Sequence, residues 1–271
     1  MTELGKVTVI GLGQTGGSIA HELTRTKQAV VTGYDCDHAV LRKARRMRIA
    51  RTVTDDLPFA LQGADIAILA LPVASIVAAL MDRRIPFDPH TLVMDVGSTK
   101  RLIVAAANRR TPPLRFVGGH PLAGNERAGL AGVEPELFAG AAFALVPGAS
   151  AVPSDIRKAR RLVQALKARP LLIDADDHDR ITALTIGLPH TIAFLVRDLY
   201  EREARADGRV KDLAGGSIWS TMRVSRSDPT MVGDFIASNR DYIEALWVRM
   251  LKSTGAGRPR GKSRKPRRNR L

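Results

Sequence analysis

The sequence predicts an α/β protein in two parts: a doubly wound, mainly parallel sheet at the amino end, then an all-helical domain. Three observations carry this. Short apolar runs alternate with helix-period segments through the first half of the chain, as in a parallel sheet covered on both faces. A glycine-rich turn joins the first strand to the first helix. From about residue 176 onward the period is almost wholly helical.

The elements follow in order. Residues 6–11 (KVTVIG) read as a buried strand, and 18–26 as the helix after it. Residues 29–35 (AVVTGYD) form a second strand and 38–47 a second helix. Further strands fall at 65–72 (DIAILALP), 91–97 (TLVMDVG), 115–119 (RFVGG) and 141–147 (AAFALVP). Ser154 can cap a helix to about residue 168, and 170–174 is a last short strand. Helices are then expected over 177–203, over 213–225, and from the Asp228-Pro229 pair to about residue 251. The expected organisation is a dinucleotide-binding domain over 1–150, a helical domain over 151–254 and a disordered basic tail over 255–271.

Composition narrows the function classes. The chain has 271 residues, 45% of them hydrophobic, enough for two modest cores. It has no apolar run of the length a membrane span needs, about 18 residues. Its first residues enter a strand directly and lack the order of a secretion signal, so a cytoplasmic enzyme is expected. A single cysteine, Cys36, excludes an internal disulfide and a cysteine-rich metal site. The net charge is +15, and residues 256–271 carry +8 of it. That tail lacks the apolar surface to fold alone. Any nucleic-acid contact it makes would be sequence-blind and salt-sensitive.

Gly11, Gly13 and Gly16 form G-L-G-Q-T-G. The first permits a tight strand-to-helix turn, the second a close approach by a pyrophosphate, and the third close packing of helix on strand. Asp35 ends the next strand, 19 residues after Gly16, where a carboxylate accepts from a ribose 2′-hydroxyl and repels a 2′-phosphate. The reading is a Rossmann-like domain that binds NAD. Arg42, Lys43, Arg45 and Arg46 on the following helix leave NADP open.

Three more segments add chemistry: DVGSTK (95–100), GGHPLAGNE (118–126) and GLPH (187–190). With GLGQTGGS (11–18) and TMRVSRSDP (221–229), their order and spacing resemble the prephenate and arogenate dehydrogenases over about residues 5–250. The resemblance implies hydride transfer from a cyclohexadienol acid to NAD, with loss of the ring carboxylate as carbon dioxide, in tyrosine-type biosynthesis. It implies a homodimer, with the helical part as dimerisation domain, and no metal. It makes His120 the catalytic base, and an unperturbed imidazole suits that task at neutral pH. Ser98 would hold the histidine and the substrate hydroxyl, or cap the helix after it. Arg223 would pair with a substrate carboxylate, His190 would face the cleft, and Glu126 would gate or orient the site.

Two departures bear on the substrate. Glycine, Gly187, stands where relatives carry the first histidine of an SHLPH segment, and Ser220 stands where many carry a charged or polar residue. A 4-amino-4-deoxy analogue of prephenate is therefore an alternative substrate. Another Rossmann reductase of hydroxy acids or imines is a second reading. Such enzymes usually use a lysine of the helical domain, where Lys211 alone occurs between 168 and 251. A non-catalytic NAD-binding protein is a third, with no use for Ser98, His120 and Arg223 together. The other histidines, His21, His38, His90 and His178, read as structural or solvent-facing. Asp174, Asp176, Asp177 and Asp179 read as a helix cap.

Overall fold

Residues 3–125 and 127–253 are described by the computed structural model. Strand and helix alternate as β1 (Lys6–Ile10), α1 (Gln14–Arg25), β2 (Val30–Tyr34), α2 (His38–Met47), β3 (Thr52–Thr54), α3 (Leu57–Leu61), β4 (Ile66–Leu69), α4 (Val73–Met81), β5 (Leu92–Asp95), α5 (Arg101–Arg109), β6 (Arg115–Pro121), β7 (Ala142–Pro147), α6 (Pro153–Ala165) and β8 (Arg169–Leu172). The strands make one sheet in the order β3-β2-β1-β4-β5-β6-β7-β8. Every neighbouring pair is parallel except β6 with β7. β4 and β5 are buried along their whole length, because helices cover both faces. The chain winds outward from β1 to β3 and returns to β4 on the other side. Their carboxyl ends therefore frame a crevice at the switch point.

The sheet continues past residue 150, since α6 packs on β6 and β7, and β8 pairs parallel with β7. The change of character expected there does not end the first unit. The helical part comprises α7 (Ala175–Thr182), α8 (Leu188–Ala206), α9 (Arg209–Asp212), α10 (Gly216–Met222), α11 (Pro229–Ser238) and α12 (Arg240–Ser253). A π turn, Ala183–Gly187, divides the helix expected over 177–203. It sits just before Pro189, whose ring cannot pack against the carbonyl four residues back in regular α geometry. A 3-10 turn, Arg223–Arg226, closes the helix expected over 213–225. The helix expected from Asp228 to residue 251 breaks at Asn239, a fully buried residue whose amide donates to the Asp179 carbonyl at 3.3 Å. Among the described residues no helix is long and apolar enough to cross a membrane. The tail expectation lies outside the described residues.

Candidate active site

The glycine turn has the geometry a dinucleotide needs. Gly11 adopts φ +93°, and a Cβ there would lie 2.3 Å from the Ala70 carbonyl oxygen. A Cβ at Gly16 would lie 2.0 Å from the Gly11 carbonyl oxygen, so helix and strand touch through it. Gly13 differs, because no heavy atom lies within 4 Å of its Cβ position. Packing does not require that glycine, and a close-approaching ligand would fill the space. Gly13 also caps α1 without a side-chain hydrogen bond, leaving first-turn N–H groups for an anion. Asp35 accepts from the Leu12 N–H (2.9 Å) and the Asp37 N–H (3.0 Å), which fixes its carboxylate beside the turn.

A crevice of about 480 Å³ opens over this turn. Gly13, Gln14, Ser98 and Asn125 line the sheet side, and Arg226 and Ser227 the helical side. Ser98 follows β5 and does not cap α5. That helix starts at Arg101, and the carboxylate that receives the Lys100 and Arg101 N–H groups, at 2.7 and 2.9 Å, belongs to Asp179.

His120 lies near the end of β6, on the strand next to the one that leads to Ser98, and retains 8% exposure. It is not among the residues that line the crevice. Its Nδ1 is 3.0 Å from Nε2 of His178, whose Nδ1 is 2.7 Å from the Asp179 carboxylate. These contacts set the tautomers. A carboxylate accepts, so His178 Nδ1 carries the proton and its Nε2 is bare. His120 Nδ1 then donates, which leaves the lone pair on His120 Nε2. Burial first, then the charges possible on His178 and Lys100, hold the His120 imidazole well below its usual value. It is neutral at neutral pH and ready to accept a proton.

His178 is thus a correction to the sequence reading: it is 2% exposed and serves as the partner of His120. The acidic cluster divides as well. Asp174 caps α7 through the Asp176 and Asp177 N–H groups, whereas Asp179 is buried between the two parts of the protein. A histidine followed by an aspartate was the only local sign. Its meaning depends on α7 docking against α5 and β6, which no local pattern encodes.

On the helical side, His190 Nδ1 donates to the Ile186 carbonyl (2.9 Å), and its Nε2 lies 3.4 Å from the Ser227 hydroxyl. His190 therefore backs a wall of the crevice. Arg223 is exposed and opens the 3-10 turn, and Arg226, at the other end of that turn, lines the crevice. Glu126 lies outside the described residues. Gly187 faces into the helical core, where a Cβ would lie 2.7 Å from Ile243 Cδ1 and 2.9 Å from Phe235 Cε1. His38 is exposed beside Asp55, and His90 is exposed on a loop.

Both parts of the chain have counterparts among known proteins. The family model for the prephenate dehydrogenase nucleotide-binding domain matches residues 19–172, and that for the prephenate dehydrogenase dimerisation domain matches 174–253. The chain is 31% identical to a cyclohexadienyl dehydrogenase of Zymomonas mobilis over 245 residues, 88% of this chain and 82% of that protein. It is 30% identical to a prephenate dehydrogenase of Lactococcus lactis, with 86% of this chain aligned, and it spans 65% of that relative's length. The solved structure of A. aeolicus prephenate dehydrogenase in complex with hydroxyphenyl propionate and NAD+ superposes with a TM-score of 0.84. That match covers 94% of this chain and 88% of the other at 24% identity, a likeness of fold.

Proposed function

The chain belongs to the prephenate dehydrogenase family, and from that premise we propose that it oxidises and decarboxylates prephenate or arogenate with NAD. NAD, when bound, supplies the acceptor for the hydride leaving the ring carbon. Gly11, Gly13, Gly16 and the N-terminus of α1 would hold its pyrophosphate, and Asp35 its adenosine ribose. A 2′-phosphate would meet the Asp35 carboxylate, so NAD is preferred over NADP.

His120 takes the proton of the substrate's ring hydroxyl on its bare Nε2. The resulting imidazolium is stabilised through Nδ1 by His178, and through His178 by the Asp179 carboxylate. Ser98, on the crevice wall, orients the same hydroxyl. Once that carbon is a ketone, the electron pair from the breaking bond to the ring carboxylate restores aromaticity. Prephenate and arogenate each carry two carboxylates. Arg223 holds the ring carboxylate by a planar guanidinium fork. Arg226 is eclipsed with it at i+3 of a 3-10 turn and faces the side-chain carboxylate. His190 supports that wall through Ser227, and Glu126 orients the substrate.

The observation that carries the reading is the Asp179–His178–His120 chain of hydrogen bonds, ending on the strand beside Ser98. The test is a spectrophotometric screen offering prephenate, arogenate and 4-amino-4-deoxyprephenate, each with NAD and NADP. Reduced nicotinamide is expected with NAD and one of the first two. Turnover of the amine alone would move the enzyme to another pathway, and no turnover of any of the three would sink the proposal. The physiological unit is a homodimer formed through the helical part.

A further inference from the structure

β5 and β6 stay in register only as far as Met94 and Val117. Beyond that point β5 turns away into the loop that carries Ser98, while β6 runs on to His120. On its other side β6 pairs with β7, and the hydrogen bonds fall on the even residues. The Gly148 N–H donates to the Phe116 carbonyl and the Leu122 N–H to the Ala142 carbonyl, both at 2.9 Å. Gly119 therefore turns its N–H and C=O toward the space that β5 has vacated.

Two side chains fill that space, Asp95 and Lys100, both 0% exposed. Asp95 accepts from the Gly119 N–H (3.2 Å) and the Gly97 N–H (2.7 Å). The Lys100 ammonium donates to the Gly119 carbonyl (2.6 Å) and pairs with the Asp95 carboxylate. Burial pushes the Asp95 carboxyl up and the Lys100 ammonium down, and each is opposed by the other's charge. The motif glycines belong to the same packing. A Cβ at Gly119 would lie 2.6 Å from the Asp95 carbonyl oxygen, and one at Gly118 would lie 3.2 Å from the Asp95 carboxylate and 3.3 Å from Lys100 Cδ.

We propose that Asp95 and Lys100 are positioning residues, a buried pair that replaces the missing stretch of β5–β6 ladder and sets the separation of Ser98 from His120. Gly97, bonded to Asp95, precedes Ser98, and Gly119, bonded to both members, precedes His120. An apolar pair of equal volume can match a buried ion pair in stability. It would leave both polar groups of Gly119 unpaired and the two strand ends free to drift. The inference rests on the proposed roles of Ser98 and His120.

The test is the double variant Asp95→Asn/Lys100→Met, which leaves no charge unpaired, measured with whichever substrate the parent oxidises. It is expected to keep the NAD dissociation constant and the substrate KM within about threefold of the parent. Its kcat should fall about a hundredfold, the cost of misplacing reacting groups by about 1 Å. In a Ser98→Ala background the same change should cost much less, which a purely structural role would not produce. A folded double variant with kcat within about threefold of the parent, or with the full loss retained in the Ser98→Ala background, overturns the proposal. Lys100→Met alone, in which the buried Asp95 can take up a proton and still accept from the Gly119 and Gly97 N–H groups, serves if the double variant does not fold, with a smaller fall in kcat as the expected sign and no fall as the overturning one. If the parent oxidises none of the substrates, the proposed function fails by itself. The positioning role is then read from a crystal structure of the double variant, in which the separation of Ser98 from His120 should change by about 1 Å, and an unchanged separation would overturn it.

Discussion

His120 can act as a base because of what surrounds it. Its imidazole is held neutral by burial first, then by the repulsion it would meet from a protonated His178 and from Lys100. Proton abstraction needs the neutral form, so the acid limb of kcat/KM should lie well below pH 6.5. A measured limb at or above that pH would mean that another group controls the rate. Stability follows the same shift. The folded value lies below the unfolded one, so the unfolded chain binds more protons between the folded value and about pH 6.5. The contribution of His120 to stability is therefore lost as pH falls through that window. Replacing the base, His120→Asn, should lower turnover by about two to four orders of magnitude and leave NAD binding within about threefold. Unchanged turnover would remove His120 from the mechanism. Arg223→Ala and Arg226→Ala should each raise the substrate KM by roughly tenfold or more, the worth of a charged hydrogen bond. Movement of the NAD constant alone would show that neither guanidinium meets the substrate.

At the scale of elements, what was legible in the sequence is what local geometry dictates. Gly11, Gly13, Gly16 and Asp35 lie within 25 residues of one another, and turn, helix start and strand end could all be read there. Ser98 and His120 were legible through their motifs. Their supports were not, because Asp179 reaches Lys100 across 79 residues and His178 reaches His120 across 58. The helical part was the least legible, since its breaks answer to tertiary contacts. Asn239 interrupts a helical run to bond the Asp179 carbonyl, and the π turn at Ala183–Gly187 accommodates Pro189. Gly187 offers a test of that packing. Glycine to alanine in a helix ordinarily gains up to about 1 kcal/mol. Here the new methyl would press on Ile243 and Phe235, both in the small helical core. Overpacking of this kind costs about 1–3 kcal/mol. Gly187→Ala should therefore lower the Tm by roughly 2–10 °C. A higher Tm would show that the core has room to yield.

At the scale of the whole molecule, the helical part has too little core for its apolar content. Among the described residues its one buried cluster holds Ala183, Phe235 and Ile243, with Leu188, Ala193, Met222 and Val232 buried apart from it. Leu195, Leu199, Trp219, Val248 and Leu251 stay between 46% and 51% exposed. A groove of about 660 Å³ lined by Ile236, Ile243, Trp247 and Val248 opens beside them. Exposed apolar surface of this extent marks an interface, and a second copy of the same chain can cover it by two-fold symmetry. The protein should therefore sediment as a dimer at micromolar concentration. Leu195 and Leu199 stand four residues apart on α8 and share a face. The double change Leu195→Glu/Leu199→Glu would place two carboxylates in that interface and should shift the protein to a monomer. The glycine turn and Asp35 lie wholly within the sheet, so NAD affinity should survive the change. The arginines and His190 stand on helices and turns that the partner would brace, so the substrate KM should rise. A parent that sediments as a monomer at all concentrations, or a variant that stays dimeric, would put the interface elsewhere.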